Sequence, residues 1–360
     1  MWRALTSSSV LGSWAGAFFP RGKPFEHNLV AVVTQQDVAD RAGVGRRTVS
    51  HVVTDFPHVN PAVRERVLRA IDELGYVPNR AAQRLRTGRG GVIALVVPEI
   101  GVGYFGQLAH LVVEEAAARG VGTIVAQTHG LRERELVEIE RILALQPDGL
   151  ILSPLGLTAA DLAALDVRTA VALIGERFAE PDARTIVVDN ESASAELVAH
   201  LVASGRTCVA YVGGTQEEPR FDSLRRTGYL SALAEAGLQA PPIVELADYT
   251  TPEGHAAGLE LVRRIRAGES VDAVFCVTDE VALGVLRALH DGGVRVPDEV
   301  AVAGFDDIAE ARYATPRLTT VAPDTAQLAR RAVAAALGDA PADAAGRIPH
   351  RLQLRESTDG

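Results

Sequence analysis

The sequence predicts an α/β protein in two parts, a small helical head followed by a two-lobed body built on parallel sheets. Three observations lead there. From Val92 onward, apolar strand-like runs alternate with amphipathic helical patterns. That alternation is the mark of βα units, hence of parallel sheets with helices on both faces. Before it, three short helical patterns follow one another, with a glycine turn between the first two. The charge is also split: residues 31–90 hold ten Arg against six acids, net +4, while residues 91–360 carry net −16 in a chain of net −10. A basic head on an acidic body suggests a polyanion-binding module joined to a part that does not bind polyanions.

Composition bounds the function. At 360 residues, 47% hydrophobic and 23% charged, the chain is long enough for two or three domains and can bury full cores. No apolar run reaches the roughly 18 residues that span a bilayer, so no membrane partner is expected. Lys23 is the only lysine, so arginine usage is general to this chain and a single Arg signals little. The asymmetry still counts, because acids are equally available. Cys208 and Cys276 are too few for a disulfide framework. Each sits in an apolar run and reads as a buried thiol of a reducing cytoplasm. No Cys/His cluster has metal-ligand spacing. No G-x-S-x-G, Walker loop or dinucleotide fingerprint appears, and the Gly213-Gly214 turn is too short to cradle a phosphate. Neither an enzyme nor a cofactor is expected. Residues 1–31 include the apolar stretch Val10–Pro20. A signal peptide is one reading of it; a disordered extension better suits the basic helical segment behind it.

The head is expected over residues 32–78. Thr34 is an N-cap for a first short helix that places Val38, Ala39 and Ala42 on one face. Gly43-Val44-Gly45 makes the tight turn that crossed helices require. Arg46–Val53 is a second helix, with Val49, Val52 and Val53 inward and Arg46, Arg47, Ser50 and His51 outward. Pro61 opens a third, with an apolar stripe of Val63, Val67, Leu68, Ile71 and Leu74. This is a three-helix helix-turn-helix module. The outer face of the second helix has the chemistry to read DNA. Arg can bond O6 and N7 of guanine in the major groove, and His can donate to the same acceptors. Thr34, Thr48, Ser50 and Thr54 are hydroxyl donors suited to phosphate oxygens, which fix register. A solvated Arg face on a three-helix cap would explain the charge alone; the helix lengths, the Gly turn and the next segment favour the DNA reading.

That segment runs Tyr76-Val-Pro-Asn-Arg-Ala-Ala-Gln-Arg-Leu-Arg-Thr-Gly88. Together with Thr34-Gln-Gln-Asp-Val-Ala, Ala42-Gly-Val, Arg47-Thr-Val-Ser-His and Leu74-Gly-Tyr-Val-Pro-Asn, it resembles the DNA-binding head and hinge of the lactose-repressor (LacI/GalR) family. The resemblance implies that residues 79–90 are a linker that folds into a hinge helix only on operator DNA. It places Asn79, Arg80 and Leu85 on the duplex, with Leu85 at the position of a leucine that wedges a minor-groove base step apart. An apolar wedge of this kind unstacks a step at a cost of a few kcal/mol and gains contact through the bend. A hinge helix this short does not hold itself together in water, so coupling to DNA is expected.

In the body, residues 91–360, a first series of strands is read at Val92–Val97, Gly122–Ala126, Gly149–Ser153, Val171–Ile174 and Ile186–Val188, with a helix from about Gly106 to Arg119. A second series succeeds it: helix Ala193–Ala203, strand Cys208–Val212, helix Leu224–Glu235, strand Val271–Val277, helix Glu280–Asp291 and strand Val300–Gly304. Two series suggest two lobes with a ligand cleft beyond the carboxyl ends of the strands. The resemblance extends here through Val97-Pro-Glu-Ile, Pro147-Asp-Gly-Leu-Ile-Leu, Val188-Asp-Asn, Arg225-Arg-Thr-Gly-Tyr, Thr278-Asp-Glu-Val-Ala-Leu-Gly, Gly304-Phe-Asp-Asp and Leu318-Thr-Thr-Val. It implies a periplasmic-binding-protein-like body crossed three times by the chain, near Asp189, near Ala322 and between about Leu337 and Pro349. The lobes would be residues 91–189 with 323–340, and 190–321 with 349–358.

The resemblance also implies an effector site. Arg225 and Asp306 match positions that bond the effector, a fork of donors and a carboxylate acceptor that suit vicinal hydroxyls. Tyr249 falls where an aromatic often lines the ligand. Other positions depart from the family pattern: Thr278 stands where Asn is usual, Thr325 where a stacking aromatic often sits, and Val102-Gly-Tyr-Phe105 replaces the usual Asn-Pro-Phe-Phe. Tyr104 and Phe105 remain as candidates. Asp279 reads equally as a helix N-cap or a ligand contact, and Asp306-Asp307 could be a strand-end turn. A pentose, a hexose derivative, a nucleoside or an acid all remain open as effector. The expected function is a dimeric, cytoplasmic transcriptional regulator, a repressor of double-stranded operator DNA controlled by a sugar-like small molecule. The alternative is an exported solute-binding protein with the same lobes. The sequence after Thr358 has no heptads that would form a tetramerising tail.

Overall fold

The computed structural model describes residues 33–54, 56–76, 90–165, 169–175, 185–214, 221–241, 243–339 and 346–359. They fall into two compact units, one within residues 1–79 and one within residues 80–360.

The first unit is a three-helix head: α1 (Gln35–Ala42), α2 (Arg46–Val53) and α3 (Pro61–Leu74). Thr34 starts α1 with a capping box shared with Asp37, which satisfies two otherwise orphaned N–H groups. Gly43 ends it in the left-handed region, φ 63°, where a Cβ would be strained. Asn60 caps α3 ahead of Pro61. Val38, Ala39, Ala42, Val49, Val52, Val67, Ala70 and Tyr76 form a small closed core. Two expectations change here. Leu68 is 48% exposed and Ala70 takes the inward place, because 68 lies a full 100° step round α3 from buried Val67. Val53 is only half-buried.

The second unit carries twelve strands among the described residues. In chain order they are β1 (Val92–Val97), β2 (Gly122–Gln127), β3 (Gly149–Leu152), β4 (Ala170–Ile174), β5 (Thr185–Val188), β6 (Val209–Gly213), β7 (Val244–Glu245), β8 (Ala273–Cys276), β9 (Ala301–Phe305), β10 (Thr319–Pro323), β11 (Gly346–Ile348) and β12 (His350–Gln353). They form two sheets, ordered β11-β5-β4-β3-β1-β2 and β12-β10-β9-β8-β6-β7. All pairings are parallel except β10 with β12. Both sheets therefore repeat one winding, with the strand order reversing between β1 and β3 in one and between β6 and β8 in the other. Ligands in open α/β sheets gather at such switch points, beyond the carboxyl ends of the strands.

The chain passes between the sheets three times. It leaves the first after β5 at Asp189, returns after β10 into helix Thr325–Leu337, and goes back between β11 and β12 at Pro349. The structure adjusts several boundaries. Helix Gly103–Ala118 begins three residues earlier than the pattern suggested, so Tyr104 and Phe105 lie on its first turn and not in a loop. Cys208 precedes β6 and is only half-buried, its Sγ facing the Ser270 carbonyl, whereas Cys276 is buried as expected. Among the described residues, no helix is long and apolar enough to cross a membrane.

Candidate functional sites: a DNA-reading head and a cleft between the lobes

In the head, α2 has Gly45 at its N-cap with no side-chain bond to its first turn. The Thr48 N–H bonds the Gly45 carbonyl at 2.8 Å; the Arg46 and Arg47 N–H groups and the helix dipole favour an anion there. Arg46 and Arg47 stand exposed on that turn, and neither makes an ion pair among the described residues. Thr48 and Ser50 are half-buried on the same helix. His51 is half-buried too, its ring 4.7 Å from that of Phe56. The Thr54 hydroxyl donates to the Ser50 carbonyl at 2.9 Å. Thr34 is more committed than its sequence position suggested: its hydroxyl donates to Asp37 at 2.7 Å and accepts from the Asp37 N–H at 3.3 Å. A phosphate would have to displace Asp37 to take that proton. Asn79, Arg80 and Leu85 lie outside the described residues.

In the body, a cleft of about 310 Å³ opens where the carboxyl ends of both sheets face one another. The first lobe brings Glu99 after β1, Tyr104 and Phe105, His129 after β2, Leu155 after β3, and Ile174, Ile186 and Val188 at the ends of β4 and β5. The second brings Asn190, Arg225, Asp248, Tyr249, Thr278 and Asp306. Five of the six effector residues read from the sequence are the aromatic pair and three polar groups in this wall, and Tyr249 completes them.

Arg225 organises the polar wall. It projects from helix Phe221–Glu235 and is only 6% exposed. Its Nε donates to Asn190 Oδ1 at 2.7 Å, one Nη to the Val277 carbonyl at 2.5 Å, and the other to Asp306 Oδ1 at 3.2 Å. The guanidinium lies over the Phe305 ring, 3.5 Å from its centroid, a cation–π contact. Burial pushes the Asp306 carboxyl up to about 6, with Arg225 pulling it down and Glu280 adding to the rise. Asp306 and Asp307 both hold positive φ, 115° and 51°, a strained backbone that persists where surroundings over-determine it. They divide the labour. Asp306 faces Arg225 and the cleft, while Asp307 takes Arg312 and Arg355 and braces the strand-end turn.

Asp279 is not the cap and does not line the cleft. Thr278 is the N-cap of helix Asp279–Asp291. Asp279 is fully buried, accepting from the Thr320 hydroxyl at 2.6 Å and the Ile308 N–H at 3.0 Å. Burial, with Asp306 close by, raises its carboxyl well above the usual range. Thr325 starts its helix away from the cleft, and Leu328, one turn on, reaches the cleft in its place. Two polar groups escaped sequence reasoning. Asn190 was visible only as part of Val188-Asp-Asn. Buried Asp222 accepts the Tyr249 hydroxyl, a pairing across 27 residues that no local pattern signals.

Comparison with known proteins agrees with a DNA-binding head joined to a two-lobed body. Residues 34–79 match the model of bacterial regulatory proteins of the lacI family, and residues 198–358 match a periplasmic binding protein-like domain. The head match speaks against an exported solute-binding protein. Catabolite control protein A of Priestia megaterium is 31% identical over 334 residues, covering 91% of this chain and 99% of that protein. The Lac repressor dimer bound to operator and the anti-inducer ONPF superposes with a TM-score of 0.78 at 26% identity, over 91% of this chain and 99% of that one. The complex of the transcriptional regulator CelR with cellobiose gives 0.63 at 31% identity, over 90% and 99%. With a helix-turn-helix head, two like-wound lobes and this coverage, the chain belongs to the lacI family of bacterial regulatory proteins.

Proposed function

We propose that the protein is a dimeric transcriptional repressor that binds a pseudo-palindromic operator through its heads and is controlled by a sugar-like effector held in the cleft. The observation that carries this reading is the combination, in one chain, of an exposed Arg46–Arg47 turn on a helix-turn-helix with a cleft lined by aromatic rings and a buried arginine–carboxylate pair. Arg46, Arg47 and His51 would read base edges, and Thr48, Ser50 and Thr54 would fix register on phosphates. Two-fold symmetry would set one head on each half-site. Leu85 would wedge the central step, with Asn79 and Arg80 beside it. In the cleft, Arg225 and Asp306 would bond adjacent hydroxyls while Tyr104, Phe105 and Tyr249 line the ring. The cellobiose bound by CelR supports a carbohydrate. The coupling between effector and operator would amount to about 1–3 kcal/mol. No chemical step is required, and the protein would work in the cytoplasm, where the chromosome is.

The test is selection of genomic duplex fragments by the purified full chain at modest ionic strength, followed by titration of the selected site. A specific site bound about 10³-fold or more over random duplex is expected. Failure to select any sequence overturns the reading. Leu85→Ala should then weaken the selected site far more than random duplex, whereas Arg47→Ala should cost about 1–3 kcal/mol at the selected site and relax the preference at the base it reads. Equal loss by Leu85→Ala on both duplexes removes the wedge.

A further inference from the structure

Glu280 does not line the cleft, yet its carboxylate spans the gap between the lobes. It sits in the first turn of helix Asp279–Asp291, in the second lobe. Its Oε1 accepts the N–H of Gly103, the first residue of helix Gly103–Ala118 in the first lobe, at 3.0 Å. Its Oε2 accepts the Thr251 hydroxyl at 2.9 Å. Ile308, also from the second lobe, closes on the same glycine: a Cβ at 103 would stand 3.2 Å from Ile308 Cβ and 3.4 Å from Glu280 Oε1. Each segment tied in this way runs directly into the cleft wall. Gly103 precedes Tyr104 and Phe105, Thr251 follows Asp248–Thr250, and Glu280 follows Thr278 by two residues.

We propose that Glu280 is an inter-lobe latch: by accepting the Gly103 N–H while anchored to Thr251, it holds the two lobes closed and so sets how readily the cleft opens to a ligand. It is a positioning residue, acting through the three segments it joins. The donor depends on the residue at 103. Position 103 opens a helix, a place where proline is well accepted, but a proline there has no N–H to give. Glycine both supplies the donor and lets the second lobe come close. A hydrogen bond made in the closed arrangement and lost on opening shifts the closed-to-open ratio by about tenfold.

Hydrogen–deuterium exchange on the full chain tests this without knowledge of effector or operator, so its failure is separable from failure of the functional reading. Glu280→Ala should raise exchange about tenfold in the segments around 102–106 and 248–252, leaving the remaining strands and the head unchanged. Gly103→Pro, which removes the N–H and also sets a Cβ against Ile308, should raise the 248–252 segment at least as much. Glu280→Gln, which keeps an oxygen to accept from Gly103, should hold near the wild-type rate. Unchanged exchange in both segments for Glu280→Ala and Gly103→Pro overturns the latch. A uniform rise throughout the body overturns it too, because that is loss of general stability and not release of the lobes.

Discussion

The two lobes share one strand order and differ in chemistry. The first faces the cleft mostly with apolar groups, Tyr104, Phe105, Leu155, Ile174 and Ile186, beside the paired Glu99 and His129, and the second mostly with polar ones, Asn190, Arg225, Tyr249, Thr278 and Asp306. The strands behind them are alike: β1 after its first residue and β3 are buried in the first lobe, as β6, β8, β9 and β10 are in the second, and the edge strands β2 and β7 are the less buried ones. A buried ion pair needs rigid, fully hydrogen-bonded support, and Arg225 with Asp306 has it in the second lobe through Asn190 and the Val277 carbonyl. The difference teaches that duplicated architecture need not duplicate function. One lobe holds the buried arginine–carboxylate pair; the other supplies most of the apolar lining.

The strongest way to break this comparison is to remove the anchor from each side in turn. Arg225→Ala leaves Asp306 buried with no cation and takes the donors from Asn190 and the Val277 carbonyl. Breaking a buried pair in this way costs about 3–5 kcal/mol, a fall in Tm of about 10 °C for a body of this size. Phe105→Leu, on the apolar face, should cost less than about 1.5 kcal/mol. Calorimetry or dye-monitored melting of the two variants decides. Equal costs would mean that the polar wall is no firmer an anchor than the apolar face.

The same asymmetry has a pH signature. The Asp306 carboxyl is raised from 3.8 to about 6 in the folded state. Folding therefore takes up a proton between these values. The stability linked to Asp306 is fully present below about pH 4 and is lost as pH rises through about 6, by up to about 3 kcal/mol. Asp279 is raised by burial as well and pushes the slope the same way. Asp306→Asn should flatten part of the decline in urea midpoint between pH 4 and 6.5 while leaving the Asp279 part. The slope is the readout, since the variant also weakens the bond to Arg225 and shifts the overall level. An unchanged slope would mean that Asp306 stays charged and solvated, with no desolvated wall to speak of.

Much of this was legible in the chain itself, for reasons that also explain the misses. Runs such as Val92–Val97 and Val300–Gly304 read as strands because apolar, β-branched residues continue without interruption, as parallel sheets buried on both faces require. Helix Thr251–Arg266 was not resolved as an element, although Thr250 caps it and Pro252 lies in its first turn; its apolar positions are partly Gly and Ala, which carry little hydrophobic signal. Strand β12, His350–Gln353, is a polar antiparallel edge, so no apolar run marks it. Helix Gly103–Ala118 opens without a side-chain cap, which is why its first turn looked like loop. At the site, Arg225 and Asp306 stood in recognisable motifs, and Tyr249 was placed by its position alone. Asp222 stood in none, and Glu280 stood in one without a role, because their roles are fixed by partners 27, 29 and 177 residues away.

A smaller effect sharpens the comparison within the polar lobe. Gly213-Gly214 looked like a turn too short to hold a phosphate, and the structure gives the second glycine a different task. A Cβ at 214 would collide with both Asp222 Oδ2 and the Tyr249 hydroxyl, the two atoms that bond to each other at the edge of the cleft. Gly214 is thus the clearance through which helix Phe221–Glu235 is tied to the loop before helix Thr251–Arg266. Gly214→Ala should push Tyr249 off Asp222 at a cost of about 1–3 kcal/mol. Tyr249→Phe removes the same bond without crowding, and should cost about 1 kcal/mol or slightly more. The discriminating measurement is the double variant. If the alanine acts by breaking the tyrosine–carboxylate bond, Gly214→Ala adds less in the Tyr249→Phe background than in the wild type. Full additivity would place the strain of Gly214→Ala in the backbone, leaving the tie between these two elements without a role in holding the polar wall.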